Sequence, residues 1–366
     1  MPNQGISGQN AIYSMKTAEE NFFIKKLTHW NSTSNGRKMP WKGEKNPYRI
    51  WLSEIILQQT RVQQGLEYYN RFIKNYPTIN DLASAPEADV FKLWEGLGYY
   101  RRCKNMLAAA AEIVEKMDGK FPDTFETIQA LKGVGPYTSA AIASFAFNLP
   151  HAVLDGNVYR LLARYFGISQ SIDSAAGKKY FALLAEELLD KKKPGLYNQA
   201  IMDFGALICK PLPECMICPL QSKCVALKEN TIRLFPVKDK KKERTARWFY
   251  YIIAEYDDGF YIRMRDKKDI WQNLHEFYLL KFAEQIADET IFSEVQELFP
   301  DASVLDLSKQ YGQHLTHQTI RGKFIHIRLQ NPASLHGFIY LTKADLRKIA
   351  FPRYITTYFQ ESRILN

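Results

Sequence analysis

Four cysteines crowded into one short stretch constrain this chain more than any other feature. They follow the spacing C-x5-C-x2-C-x5-C and are Cys209, Cys215, Cys218 and Cys224. Four cysteine thiolates can hold one tetrahedral zinc ion or one 4Fe-4S cluster. Zinc ribbons usually bring together two separated Cys-x2-Cys pairs, whereas here a single loop supplies every ligand. The spacing therefore favours an iron–sulfur cluster, with zinc as the alternative, over a disulfide framework.

The charge balance indicates a polyanionic partner. Lys and Arg outnumber Asp and Glu by 49 to 39, and the isoelectric point is about 9.1. Nucleic acid is the first candidate. No apolar run approaches the roughly 20 residues that span a bilayer, so we expect no membrane partner. The polar N-terminus carries no signal-peptide pattern, which predicts a cytoplasmic protein. Residues 1–16 read as a disordered lead-in, and translation starts at Met1 or Met15.

Two patterns divide the 366 residues. From an N-cap at Thr17, residues 17–227 read as helices separated by Gly and Pro, which predicts an all-α domain that includes the cysteine loop 209–224. A basic linker follows at 228–246. Residues 247–366 predict a separate α+β domain, because aromatic and β-branched runs alternate with turns. The predicted strands are Trp248–Tyr256, Phe260–Met264, Phe277–Phe282, Gly322–Leu329 and Gly337–Leu341, with a helix near Ile291–Leu298.

A glutamate in an apolar setting is the first candidate catalytic residue. Asn46-Pro47 opens a predicted helix, on which Glu54 has mainly apolar neighbours three and four residues away in both directions. Partial burial disfavours the ionised carboxylate and raises its pKa, as a general acid near neutral pH requires. Alternatively, Arg61 or nearby amides neutralise this carboxylate and it has no chemical role.

Two glycine turns join helices in the same manner. Gly96-Leu97-Gly98 precedes a long helix that runs to Lys116, and Gly133-Val134-Gly135 precedes Pro136 at the start of another. Glycines accept positive φ and leave backbone N–H groups at a helix N-terminus open to an anion. The second turn therefore suits a DNA phosphate. A plain helix-to-helix turn with a glycine C-cap is the alternative.

A second carboxylate lies at the start of a helix. Asp155 or Asn157 is the predicted N-cap of a helix that runs to Phe166. The positive end of that helix is expected to lower the pKa of Asp155 and keep it ionised. A protonated Glu54 and an ionised Asp155 would then divide the acid and stabilising roles of sugar-bond cleavage. An ordinary helix cap is the alternative for Asp155.

Taken together, these residues resemble the helix-hairpin-helix DNA glycosylase superfamily, and within it the MutY-type adenine glycosylases. The likeness is carried by Trp51-Leu52-Ser53-Glu54-Ile55-Ile56-Leu57-Gln58-Gln59-Thr60-Arg61-Val62 and by Gly96-Leu97-Gly98-Tyr99-Tyr100. It implies that Glu54 is the general acid and that Asp155 is the stabilising carboxylate, with Asn157 beside it in the catalytic set. It further implies a helical glycosylase domain with a 4Fe-4S cluster and a Nudix-like C-terminal domain.

The resemblance also implies a substrate and a reaction. The substrate is double-stranded DNA in which adenine is mispaired with 8-oxoguanine or guanine, bound in the nucleoid by a monomer. Gln59, Leu97 and Tyr99 match groups near the mispair, and the Gly133–Gly135 hairpin matches the DNA-binding hairpin. Tyr137 occupies the position where lyase-type relatives carry a Schiff-base lysine, so we expect a monofunctional glycosylase.

Two departures from the family pattern stand out. The family spacing is C-x6-C-x2-C-x5-C, and this chain is one residue short between Cys209 and Cys215, which changes the local backbone path. The C-terminal domain lacks the Glu-rich helix of Nudix hydrolases, so we expect no hydrolase activity there. The second departure lies in this C-terminal domain, where the family's Phe-Ser-His recognition loop matches Leu315-Thr316-His317. Leu replaces the aromatic wedge and can still insert between bases.

Three other functions compete with this interpretation. One is a zinc-stabilised binding protein, which would lack the broad visible absorbance of an iron–sulfur cluster. An endonuclease III-like lyase would act on oxidised pyrimidines, and Tyr137 argues against it because a phenol cannot form a Schiff base. A non-catalytic DNA-binding module whose cluster senses redox state would bind lesion DNA and release no base.

Overall fold

The structure is a computed structural model and describes residues 17–240, 243–265, 269–362 and 364. The predicted lead-in at 1–16 lies outside the described residues, as do Lys241 and Lys242 of the basic linker. Within these ranges, every helix is too short or too polar to cross a membrane.

The predicted all-α character of the first part is confirmed, since residues 17–240 contain helices and loops and no strand. Short 3-10 turns at Cys215–Ile217, Gln221–Lys223 and Ile232–Leu234 accompany the α-helices. The α-helices are α1 Ala18–Thr33, α2 Pro47–Leu57, α3 Val62–Asn75, α4 Ile79–Ser84, α5 Glu87–Trp94, α6 Arg101–Met117, α7 Phe125–Ala130, α8 Pro136–Phe147, α9 Gly156–Phe166, α10 Ala175–Leu188, α11 Pro194–Leu207 and α12 Val225–Lys228.

Local capping explains where the first helices begin. The predicted N-cap at Thr17 is confirmed: its hydroxyl accepts from the Glu20 N–H at 3.2 Å, and the Glu20 carboxylate accepts from the Thr17 N–H at 2.6 Å. Pro47 opens α2 as predicted, and the Asn46 side-chain oxygen accepts from the Tyr48 N–H at 3.0 Å. Both helix starts follow from residues within one turn of each other.

The contacts divide the chain into two compact units. The first unit comprises residues 1–51 and 122–239, and the second comprises residues 52–121 and 240–366. The core of the first unit is formed mainly by α1, α8, α9, α10 and α11. The second unit contains Glu54 with the helices up to 121, together with the C-terminal region. The domain boundaries inferred from the sequence, at 227 and 247, stay a prediction.

The C-terminal region is an α/β region built on one mixed sheet. In it, α13 covers Asp288–Leu298, α14 Lys343–Leu346 and α15 Arg353–Ser362. The strands are β1 Thr245–Tyr256, β2 Gly259–Met264, β3 His275–Glu276, β4 Tyr278–Phe282, β5 Ser303–Leu307, β6 Tyr311–His314, β7 Gln318–Gly322, β8 Phe324–Arg328 and β9 Ile339–Thr342.

The long strand β1 is the centre of this sheet. It pairs with β4 and then β2, both antiparallel, along one edge, and with β7 and then β8, both parallel, along the other. One face of β1 packs with α15 and the opposite face with α13. Because both faces are covered, the strand is a nearly continuous apolar run instead of an alternating one.

Most predicted strands are confirmed with shifted ends, and four were missed, of which β3 has only two residues. β1, β2, β4, β8, β9 and α13 correspond to the predicted runs. The missed strands β5, β6 and β7 are short and include polar residues. β6 and β7 pair antiparallel around Leu315-Thr316-His317, which therefore forms the tip of a hairpin.

Candidate active site

Glu54 lies on α2 and is buried, with 6% of the residue exposed. The residues around it, Ile50, Trp51 and Ile55, are buried as well. The helix ends at Leu57, so the Glu54 run is not one continuous helix. The apolar setting inferred from the sequence is therefore confirmed, whereas the role of Glu54 as general acid stays a prediction.

The chain after α2 adopts an uncommon backbone conformation at Gln59. Its φ is +56°, in the left-handed region that non-glycine residues rarely adopt, and its side chain is exposed. The turn closes through a hydrogen bond from the Thr60 N–H to the Leu57 carbonyl at 3.1 Å. Gln59 thus presents its amide side chain outward next to the end of the helix that carries Glu54.

Arg102, on the first turn of α6, holds the end of α2 against the glycine turn that precedes α6. Its guanidinium donates to the carbonyl oxygens of Ile55, Ile56 and Gln58 at 2.9, 2.8 and 2.6 Å, to the Thr60 hydroxyl at 3.3 Å and to the Gly98 carbonyl at 3.2 Å. Burial lowers the pKa of Arg102 to about 10. These bonds satisfy carbonyls that the end of a helix leaves without partners.

The glycine turn itself needs its glycines. Gly96 and Gly98 have φ of +88° and +79°, and Tyr99 follows at +50°. The Trp94 indole N–H donates to the Gly98 carbonyl at 3.0 Å and fixes the turn. Leu97 is buried, whereas Tyr99 is 49% exposed. Of the two turn residues matched to the mispair, only Tyr99 is accessible in this structure.

The second glycine turn joins α7 to α8 as predicted. Gly133 has φ of +83°, and Gly135 is the N-cap of α8 with Pro136 in its first turn. The N–H of Val134 donates to the Leu131 carbonyl at 3.1 Å and closes the turn. A Cβ at Gly135 would meet no atom within 4 Å, so the start of α8 is open to solvent. The phosphate-binding role of this hairpin stays a prediction.

Asp155 is the N-cap of α9, which confirms one of the two predicted helix starts. Its carboxylate accepts from the N–H groups of Asn157 and Val158 at 2.9 and 2.8 Å. The predicted lowering of its pKa is wrong. Burial raises the pKa of Asp155, and the hydrogen bonds from Val158 and Asn157 oppose this effect without overcoming it. Desolvation of the charge outweighs the helix end because the half-buried carboxylate is largely shielded from water.

Asn157 connects Asp155 to the cysteine loop. Its side-chain N–H donates to the second Asp155 oxygen at 2.7 Å, and its own oxygen accepts from Arg160 at 2.9 Å. Arg160 also donates to the Gly205 carbonyl at 2.6 Å and to the Cys209 carbonyl at 2.7 Å. The candidate carboxylate and the first cysteine are therefore joined by a chain of hydrogen bonds.

Tyr137 lies on the first turn of α8 and packs against the core of the first unit. Its hydroxyl is 4.0 Å from the Met202 sulfur. A phenol at this place supplies no amine, so it cannot form a Schiff base with a sugar aldehyde.

The four cysteines line one largely apolar cavity, and all four are free thiols. Leu161, Ile208 and Leu220 form part of its wall. Arg164 anchors the loop, because its guanidinium donates to the Lys210 and Pro211 carbonyls at 2.9 and 3.1 Å. Burial raises the pKa of Cys218 to about 12. In the part of the chain that the structure describes, no three His, Cys, Asp or Glu side chains form a group that could hold a metal ion.

The predicted recognition loop is the tip of the β6–β7 hairpin. The Leu315 N–H donates to the Gln318 carbonyl at 2.8 Å, which keeps the tip short. Leu315 packs against the core of the C-terminal region, while Thr316 and His317 are exposed. The Thr316 hydroxyl lies 3.4 Å from the hydroxyl of Tyr99, so two predicted lesion contacts meet within the second unit.

Comparisons with known proteins agree with this geometry. Residues 52–189 match the family model described as "HhH-GPD superfamily base excision DNA repair protein". An adenine DNA glycosylase from Buchnera aphidicola subsp. Acyrthosiphon pisum is 36% identical over 264 residues, 72% of this chain and 75% of that protein. This chain belongs to the adenine DNA glycosylase family. It is therefore a DNA glycosylase of base excision repair.

Two further relatives show how far the likeness extends. The adenine DNA glycosylase of Buchnera aphidicola subsp. Baizongia pistaciae is 34% identical and covers 81% of this chain and 84% of its own length. The solved structure of a thermostable thymine-DNA glycosylase superposes with a TM-score of 0.54 at 28% identity, over 58% of this chain and 97% of that chain.

Sequence reasoning missed the arginines that organise the site of this glycosylase. Arg102 lies in the first turn of α6, where the helix dipole disfavours a cation, and Arg160 lies in the second turn of α9. A cation at the start of a helix is unfavourable by itself, so the position of Arg102 could have indicated from the sequence that its side chain has a tertiary partner. The partners themselves, which are backbone carbonyls up to 49 residues away, were not readable from the sequence.

Proposed function

We propose that this adenine DNA glycosylase excises adenine mispaired with 8-oxoguanine or guanine in duplex DNA, by base flipping and hydrolysis of the N-glycosidic bond. The observation that carries the proposal is the Asp155 carboxylate, which is held in one orientation by two backbone N–H groups and the Asn157 amide. A fixed, partly desolvated carboxylate is suited to stabilise the positive charge that develops on a sugar ring during bond cleavage.

In this mechanism, Glu54 is the general acid. Protonation of a ring nitrogen of the flipped adenine turns the base into a better leaving group. The burial of Glu54 supports this role, because an apolar setting favours the protonated carboxyl. As the bond to adenine breaks, Asp155 stabilises the oxocarbenium-like sugar until water adds. Asn157 keeps the Asp155 carboxylate oriented by donating to its second oxygen.

The reaction is proposed to stop at the abasic site. A lyase step needs an amine that attacks the sugar carbon, and Tyr137 offers a phenol in its place. We therefore assign a monofunctional glycosylase rather than an endonuclease III-like lyase.

Recognition of the lesion is assigned mainly to side chains that are exposed in this structure. Gln59, Tyr99, Thr316 and His317 have accessible side chains, and Leu97 would act from its buried place in the turn. Leu315 is partly buried and packs against the core of the C-terminal region, so a wedge role would break that contact, and the exposed Thr316 and His317 are the better candidates. We assign the Gly133–Gly135 hairpin to a DNA phosphate and the C-terminal region to a Nudix-like recognition domain.

A 4Fe-4S cluster is proposed at the cysteine loop. The four side chains are not gathered around a single metal ion in this structure, but the donor chemistry fits a cluster, because four free cysteine sulfurs line one cavity with apolar walls. Cys209, Cys215, Cys218 and Cys224 would bind it as thiolates, and when bound it would cross-link the loop and keep these four cysteines deprotonated. Arg164, whose guanidinium is 3.7 Å from the Cys209 sulfur, supports a negatively charged sulfur at this place.

A single-turnover assay tests the activity. Duplexes carrying A opposite 8-oxoguanine, A opposite guanine, C opposite 8-oxoguanine and an oxidised pyrimidine are incubated with excess enzyme, and alkali is added afterwards. Strand breaks that need alkali and occur only at adenine are the expected result. Breaks without alkali, or at the pyrimidine, would assign the chain to the lyase class. Absence of base release with retained binding would indicate a binding module.

Glu54→Gln tests the acid. We expect cleavage of the adenine duplex to be lost while binding is retained, because glutamine keeps the shape but donates no proton. Glu67→Gln, the same change at an exposed residue of α3, is the matched control. Retained single-turnover activity in Glu54→Gln would remove Glu54 from the mechanism.

A further inference from the structure

The turn that carries Tyr99 is bound to the C-terminal region at two separate places. On its exposed side, the Tyr99 hydroxyl lies 3.4 Å from the Thr316 hydroxyl. On its other side, Glu95, the C-cap of α5, is hydrogen-bonded to the backbone of Phe351. Both places belong to the second compact unit. The distance between Thr316 and Tyr99 therefore depends on the hydrogen bonds that bind the backbone of Phe351.

Three side chains bind the backbone of the segment 349–351, and we name this set the clasp. The Glu95 carboxylate accepts from the Phe351 N–H at 2.9 Å and from the Lys92 ammonium at 2.6 Å. Lys92 also donates to the Ile349 carbonyl at 3.0 Å. The Tyr100 hydroxyl donates to the Phe351 carbonyl at 3.1 Å and accepts from the Gly96 N–H at 3.2 Å.

The clasp is stronger than an ordinary surface contact. The side chains of Lys92 and Glu95 are only 33% and 19% exposed, so their charge-assisted bonds are partly shielded from water. Phe351 is buried in the C-terminal core and stacks on Phe277 at 5.8 Å. A displacement of Phe351 would therefore displace that core together with the hairpin it supports.

The Tyr99–Thr316 contact is sensitive to such a displacement. At 3.4 Å between hydroxyl oxygens, it is already longer than a normal O–H···O hydrogen bond, so a further shift of about 1 Å would break it. Tyr100, a member of the clasp, directly follows Tyr99 in the chain, so the two contacts are joined by adjacent residues.

We propose that Lys92, Glu95 and Tyr100 are positioning residues for lesion discrimination: the clasp fixes the C-terminal region so that Thr316 meets Tyr99 beside the base opposite adenine. The inference rests on the proposed function, because it assumes that 8-oxoguanine is distinguished from guanine at Tyr99 and Thr316. The clasp residues bind the backbone of residues 349–351, so in this proposal they act on the lesion through the C-terminal region and its hairpin.

The test compares preference ratios. We measure single-turnover rates, and affinities with a duplex carrying non-cleavable 2′-fluoro-deoxyadenosine, for adenine opposite 8-oxoguanine and opposite guanine. In Glu95→Ala, we expect the preference for 8-oxoguanine to fall about tenfold, as for loss of one charge-assisted hydrogen bond. Glu95→Gln, which keeps an acceptor for Phe351, should lose less. Rates on the guanine duplex should stay unchanged.

A matched control and a double-mutant cycle separate positioning from general stability. Glu112→Ala removes an exposed ion pair with Lys116 on α6 and should leave the ratio unchanged. In a Thr316→Ala background, Glu95→Ala should have no further effect on the ratio, because both changes act on one contact. An additive effect, or an unchanged ratio in Glu95→Ala, would overturn the inference.

Hydrogen exchange keeps the inference separable from the proposed function. In Glu95→Ala without DNA, amide protection should fall together in residues 349–351 and 315–318, and Glu112→Ala should leave both protected. Loss at 349–351 alone would overturn the clasp. If the wild-type enzyme cleaves both duplexes equally, the proposed lesion preference fails, and this exchange measurement alone decides whether the clasp holds the hairpin.

Discussion

Replacement of Arg102 by lysine tests whether one side chain joins the Glu54 helix to the glycine turn. The guanidinium spans five acceptors, from the Ile55 carbonyl to the Gly98 carbonyl. A lysine ammonium keeps the charge but lacks the planar fork, so it can satisfy about two of them. The change therefore isolates the geometry of the side chain from its charge.

The magnitude follows from the bonds that are lost. Three lost hydrogen bonds at about 1 kcal/mol each lower the free energy of local opening by about 3 kcal/mol. The desolvation of the cation, which lowers the pKa of Arg102 to about 10, applies to a buried ammonium as well and largely cancels. About 3 kcal/mol corresponds to exchange roughly a hundredfold faster at the end of α2.

Native-state hydrogen exchange measures this opening directly. The reporters are the Thr60 N–H, bonded to the Leu57 carbonyl, and the Gln58 N–H, bonded to the Glu54 carbonyl at 3.2 Å. Arg101→Lys is the matched control, because Arg101 is the exposed neighbour on the same turn of α6. Equal protection of these amides in Arg102→Lys and Arg101→Lys would refute the reasoning.

Two other outcomes are expected. Asn157→Ala removes a side-chain hydrogen bond that lowers the pKa of Asp155, so this pKa should rise further. Because the reaction needs the ionised carboxylate, the acidic limb of the single-turnover pH–rate profile should move to higher pH. An unmoved limb would exclude Asp155 as the group that titrates there. Cys218→Ser should abolish bound iron and broad visible absorbance in the purified protein. The control Cys103→Ser, at a buried cysteine outside the loop, should keep both. A colourless wild-type protein that contains zinc would refute the cluster.

The sequence by itself determined the features that depend on neighbours within one helical turn. The capping box at Thr17, the start of α2 at Pro47 and the cap at Asp155 each need only a side chain and an N–H two or three residues away. The glycine turns were predictable for the same reason, since Gly96 and Gly133 adopt backbone conformations that other residues avoid. The family resemblance depended on these same short motifs.

The strands β5, β6 and β7 show where local patterns fail. They are short, and two of them pair with strands that do not follow directly in the sequence, β5 with β8 and β7 with β1. β6 pairs only with β7, its neighbour across the hairpin tip. The hairpin tip illustrates the consequence: the side chain of Leu315 packs against the core of its own region, a contact that the sequence did not reveal, and its insertion between bases stays a prediction. Which way a side chain points depends on that pairing and not on its residue type.

The tertiary structure alone decided the electrostatics of the site. The position of Asp155 at a helix start predicted a lowered pKa, yet the depth of the surrounding fold raises it. The partners of Arg102, Arg160 and Glu95 are backbone groups up to 256 residues away. Every residue has such groups, so no residue type marks them in the sequence. Burial and hydrogen bonding to the backbone arise only when distant segments pack, and they set the geometry of this site.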